Sequence, residues 1–113
     1  MVCVTPKMLS RTTVNQSETF VGPNSSILEA AEEAVTELGF MTERVMQLDD
    51  RTWLIVAHDK SRPAETSSAR LEVEQTGAND TTVRVNLTTV TWKRHEQTNR
   101  ARAFIAAMRR NLR

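Results

Sequence analysis

The sequence predicts an α+β fold: two amphipathic helices packed on one face of a four- to five-stranded, mainly antiparallel sheet. Three observations carry this. Two segments repeat apolar residues at helical spacing, four or five others read as strands, and the links between successive strands are short, which favours antiparallel pairing. The chain has 113 residues, enough for a single domain. Residues 1–10 have no clear period and contain Pro6, so they read as a tail, and residues 11–113 as the domain.

Arg11 to Val21, rich in Thr and Val, reads as a polar first strand ended by Gly22-Pro23-Asn24. The first helix is expected to start at Ser26, with Ser26 and Glu29 forming a capping box. Ile27, Leu28, Ala31, Val35 and Leu38 share its apolar face, and Glu29, Glu32, Glu33 and Glu37 cover the rest. Gly39 supplies a left-handed stop, with Phe40 placed to fold back on the helix.

Thr42 to Asp49 and Thr52 to His58 read as two strands joined by a tight turn at Asp49-Asp50-Arg51. The apolar run Trp53 to Ala57 suggests a central position in the sheet. Asp59 to Ser68 reads as a polar loop. Ala69 to Thr76 alternates with Ala69, Leu71 and Val73 on one face, as in a half-buried strand. Thr81 to Trp92 continues with Val83, Val85 and Leu87, and a change of parity at Val90 and Trp92 predicts a bulge near Thr88-Thr89. The last helix is expected from about Thr98 to Leu112. Its apolar stripe is Ala101, Phe104, Ile105, Met108 and Leu112, with Arg102, Arg109, Arg110 and Arg113 projecting elsewhere.

Composition narrows the function. Aromatic residues are 4% of the chain, so the core is aliphatic. A single cysteine, Cys3, excludes an internal disulfide and a cysteine-rich zinc site. No stretch approaches the roughly 20 apolar residues of a membrane-spanning helix, and Met1 to Ser10 does not read as a signal peptide. No nucleophile motif or phosphate loop is present, so the expectation is a non-enzymatic domain without cofactor or metal. His58 and Asp59, with Asp49 and Asp50 nearby, are the residue types of acid–base chemistry. Adjacent strand residues point to opposite faces, however, so the two are not expected to pair. His95, beside Lys93, Arg94 and Glu96, reads as a solvated loop histidine.

Charge is unevenly placed, although the net charge is only +1. Ser26 to Leu38 holds four Glu and no base, whereas Lys93 to Arg113 holds seven basic residues and one acid. The basic set is Lys93, Arg94, Arg100, Arg102, Arg109, Arg110 and Arg113. Arg102, Arg109, Arg110 and Arg113 are the candidate contact for an anionic partner: a protein, a lipid surface or, as the alternative, nucleic acid. The same residues also complement a helix dipole at its C-terminus.

Ile27 to Phe40 (ILEAAEEAVTELGF), Arg70 to Leu87 and Ala101 to Leu112 together resemble a group of small bacterial lipoproteins. In that group a short polar strand leads to a helix ending in Leu-Gly-Phe, then an antiparallel sheet and a basic last helix. The resemblance covers roughly residues 20–113 and implies export and tethering through a lipidated Cys3 in a bacterial envelope. Cys3 is preceded here by Met1 and Val2, in which no lipobox can be read. The group contributes no activity, so the function expected is partner binding or a structural role in the envelope. A cytoplasmic nucleic-acid-binding module is the alternative.

Overall fold

The computed structural model describes residues 11–61, 67–90 and 94–112, with backbone alone at 11, 90, 94 and 95. The expected tail, Trp92, Lys93 and Arg113 lie outside the described residues. The elements are β1 (Arg11–Val21), α1 (Asn24–Glu37), β2 (Phe40–Asp49), β3 (Thr52–Asp59), β4 (Ser67–Gln75), β5 (Asp80–Val90) and α2 (Arg94–Asn111). The five strands form one sheet in the order β1-β5-β4-β3-β2, every pair antiparallel.

Strand alternation builds the core. Val14, Phe20, Ile55, Ala57, Ala69, Leu71, Val73, Val83, Val85 and Leu87 are buried on the face that both helices cover. From α1 come Ile27, Ala30, Ala31, Ala34 and Val35, and from α2 come Ala101, Phe104, Ile105, Ala107 and Met108. The alanines let the helices approach the sheet closely. Phe104 meets the ring of Phe40 edge-on, with centroids 5.1 Å apart.

Four expectations need correction. α1 begins at Asn24, two residues before Ser26, and has no side-chain cap. Pro23, held at φ −72° with extended ψ, instead offers its carbonyl to the Ser26 and Ile27 amides, both at 3.2 Å. Ser26 is thereby already inside the first turn and the capping box does not form. Asn24 turns outward to the strands, donating to Arg51 O and accepting from the Thr81 hydroxyl.

The centre of the sheet is β4, and β3 lies next to the edge. The apolar run Trp53–Ala57 divides between faces: Ile55 and Ala57 enter the core, while Leu54 and Val56 lie on the face away from the helices. No bulge occurs at Thr88-Thr89, because both residues stay in register with β1 and β4. Thr89 fills a core-facing slot by hydrogen-bonding the buried Gln97 of α2. That contact accompanies an α2 that starts at Arg94, so His95 stands in the helix's first turn and not in a loop.

The expectation for Gly39 holds. Its φ is +82°, it ends α1, and Phe40 starts β2 fully inside the core.

Candidate functional site

The arginines of α2 divide among three environments. Arg100 lies at the end of the sheet where β2 begins and β3 ends. Its Nη2 donates to Asp59 Oδ2 at 2.7 Å, and its guanidinium sits 5.1 Å from the centre of the Phe40 ring. Asp59 Oδ1 accepts from the Ser61 amide and hydroxyl at 2.9 and 2.6 Å. Burial pushes the Asp59 carboxyl up, but the Ser61 bonds and Arg100 outweigh it and hold the group below the usual carboxylate range. Arg100 also reaches Gln97 Oε1 at 3.4 Å, and that oxygen accepts from Thr89 at 3.0 Å. The Ser67 hydroxyl, cross-strand from Thr89, is buried without a hydrogen-bond partner among the described residues. These groups clamp the start of α2 onto the strand ends.

The candidate contact arginines lie further along α2. Arg109 forks onto Glu18 of β1, with Nε 2.7 Å from Oε2 and Nη2 on the other oxygen. Glu18 raises the Arg109 pKa above the ordinary guanidinium value. Arg110 leans the opposite way, to Glu37 of α1 at 3.0 Å. Arg102 is exposed and has no partner among the described residues. Arg113 lies outside them. Two of the four candidates are thus occupied by carboxylates of the same chain, on opposite flanks of the helix. Arg102 is left open.

Arg102 belongs to a groove of about 340 Å³ between β1 and α2, lined by Gln16, Ser17, Glu18, Ile105, Ala106 and Arg109. The groove runs beside the free edge of β1. That strand pairs with β5 over 11 residues without a register shift, and no described strand pairs with its other side. The opposite edge, β2, carries two register shifts, between Thr42 and Arg44 and between Gln47 and Asp49.

His58 and Asp59 point to opposite faces, as their adjacency in β3 predicts. Asp59 joins Arg100 on the helix side, whereas His58 Nδ1 lies 3.0 Å from Glu43 Oε1 on the outer side. Asp49 instead caps its own turn by accepting from the Arg51 amide at 2.8 Å. No group of three potential metal ligands occurs among the described residues. No described helix is long and apolar enough to cross a membrane.

Sequence reasoning did not find the Asp59–Arg100 bridge or the Glu18–Arg109 pair. A signal existed for both. Asp59 has the parity of Ile55 and Ala57, and Glu18 that of Val14 and Phe20, so each carboxylate occupies a core-facing slot. A charge in such a slot needs a partner from the helix above.

No family model and no curated protein matches the chain. Among solved structures, it is similar to the Zhui aromatase/cyclase from Streptomyces sp. R1128, at 10% identity and a TM-score of 0.42, over 90% of this chain and 87% of that one. It is also similar to a Deinococcus radiodurans structural-genomics target, at 18% identity and a TM-score of 0.37, over 88% and 95% of the two chains. Neither likeness transfers an activity.

Proposed function

We propose that this chain is a non-enzymatic partner-binding domain whose contact surface is the free edge of β1 together with the adjoining face of α2. One observation carries the reading: an unbroken edge strand lies open beside a groove that holds an unpaired arginine. An exposed edge is a ready template for another strand, and main-chain hydrogen bonds supply affinity there. Ile105 and Ala106 offer apolar contact, and Arg102 favours an acidic residue on the partner. The nucleic-acid reading has less support, because Arg109 and Arg110 are already neutralised and point to different flanks.

The test is an amide-shift titration of the labelled protein with extended Thr/Val peptides bearing one Glu, and in parallel with duplex and single-stranded DNA. Peptide-induced shifts confined to residues 12–20 and 102–109 are expected. Shifts produced by DNA, and by no peptide, would replace this reading with the nucleic-acid one. On the lipoprotein likeness we place the partner in the bacterial envelope. Palmitate labelling of the protein in cells, abolished by Cys3→Ser, is the corresponding result; unlabelled protein would remove the envelope setting.

A further inference from the structure

We infer that the strand received by β1 is β1 of a second copy, paired antiparallel about a two-fold axis at Gln16 into a continuous ten-stranded sheet. This deepens the reading of the β1 edge as a binding surface and rests on it.

The first support is the direction of the backbone groups. Gly22 N donates to Asn79 O at 2.9 Å, one step beyond the Val21–Asp80 pair. Hydrogen-bonded pairs alternate along an antiparallel ladder. Val14, Gln16, Glu18 and Phe20 therefore turn their amides and carbonyls toward β5, and Thr13, Asn15, Ser17 and Thr19 turn theirs to the free edge. In the register that places Gln16 opposite itself, all 11 residues of β1 find a partner. Thr13 then exchanges bonds with Thr19 of the second copy, and Asn15 with Ser17.

The second support is side-chain self-complementarity. On the outer face, this register sets Thr13 beside Thr19 and Asn15 beside Ser17. It repeats the hydroxyl pairing already present between Thr13 and Thr88 at 3.0 Å and between Thr19 and Thr82 at 2.8 Å. On the helix face the charges match. Gln97 of α2 meets Thr89 at one end of the sheet, and Arg109 meets Glu18 towards the other, so α2 runs in the direction of β1. Seven helical residues rise about 10.5 Å, close to three strand residues, so Arg102 stands about level with Asn15. In the two-fold pair, Asn15 lies opposite Ser17 of the second copy, beside that copy's Glu18. The open Arg102 thereby gains a carboxylate, and each Glu18 lies between two arginines.

The third support is the absence of the devices that keep edges apart. β1 has no proline, no lysine and no bulge, and its one inward charge is already paired. An isologous contact of this kind closes on itself and leaves the bulged β2 edges outermost.

The experiment is sedimentation of the full chain from low to high micromolar concentration, with amide hydrogen exchange at both ends of the range. A mass of two chains is expected at high concentration, with protection of the Thr13, Asn15, Ser17 and Thr19 amides appearing only there. Ser17→Pro removes an outward amide and none of the β1–β5 bonds, and should yield a monomer with an unchanged circular dichroism spectrum. Arg102→Glu sets like charges beside Glu18 of the second copy, and should weaken association by about tenfold or more. If Ser17→Pro does not fold, Arg102→Glu and the exchange pattern decide. A monomer at every concentration overturns the inference. If the Thr/Val peptides still bind such a monomer at β1, the wider binding reading survives; if they do not, both fall. A dimer indifferent to both substitutions, or one protected along β2, overturns it equally.

Discussion

The two edges of the sheet are built from strands of nearly equal length yet differ in every feature that governs pairing. β2 bulges twice and exposes Met41 and Leu48, with Glu43 and Arg44 between them. β1 is regular throughout and lines its open side with Thr, Asn and Ser. The fastening of α2 differs along its length in the same sense. At the end of β3, next to the start of β2, α2 is fastened by Arg100, whose Asp59 partner is only 8% exposed. Over the β1 side it is fastened by Arg109, itself 59% exposed. One edge is irregular and adjoins a buried clamp; the other is regular and adjoins an exposed one. An apolar patch alone does not identify a pairing edge, since here the more apolar edge is the one whose ladder is interrupted.

The largest expected effect erases the comparison by removing the core that both edges share. Phe104→Ala should destabilise the fold by about 3 kcal/mol or more, measured by denaturant unfolding. Phe104 is fully buried and touches Phe40, so β1 and β2 should lose exchange protection together. A variant as stable as the parent would deny that α2 is docked through this ring.

Next comes the buried clamp. Arg100→Met leaves the buried Asp59 carboxylate without its cation and should cost about 2 kcal/mol, read as a lower unfolding midpoint at neutral pH. The carboxyl is held below its ordinary range in the folded protein, so its contribution is fully present above the unfolded value. It is lost as pH falls through the lower folded value, below about pH 4. Parent and Arg100→Met should therefore converge in stability below that pH. A gap that persists in acid would mean that the arginine acts by packing on Phe40 and not through its charge.

A smaller effect belongs to the entry into β2. Gly39 has φ +82°, and an added Cβ would meet nothing within 4 Å. The cost of Gly39→Val is then conformational alone and should be about 1 kcal/mol or more, measured by thermal unfolding. An unchanged midpoint would show that the chain can enter β2 by another backbone path.

The smallest effect is expected at the exposed clamp. Arg109→Gln removes an exposed ion pair and should leave the unfolding midpoint almost unchanged. Arg100 and Arg109 occupy the same helix and have the same chemistry, so the contrast between their variants measures burial directly. Equal losses would remove the distinction between a buried clamp and an exposed one.

The local rules for most elements were legible in the residues. Alternation at Ala69, Leu71 and Val73 and at Val83, Val85 and Leu87 marked two strands and their inner faces, and Gly39 marked the end of α1. The helix starts were less legible. Ser26 and Glu29 form a capping pattern, but Pro23, immediately before the helix, already supplies the first carbonyl, and a backbone acceptor needs no signature side chain. Thr89 and Gln97 drew α2 back to Arg94 through a contact eight residues apart, beyond the reach of a helical period.

By itself, the sequence determined the kind of elements, the antiparallel links and the apolar stripes, because these depend on neighbours two to four residues apart; it left the strand count at four or five. Tertiary structure decided which strands became edges, and so placed β1, first in the chain, beside β5. It also decided which arginines were occupied. Asp59 and Arg100 are 41 residues apart and Glu18 and Arg109 are 91 apart, and no local pattern sets such pairs. The physical reason is that a strand's periodicity specifies its face but not its neighbour. Only closure of the whole sheet determines which backbone groups are left to bind something else.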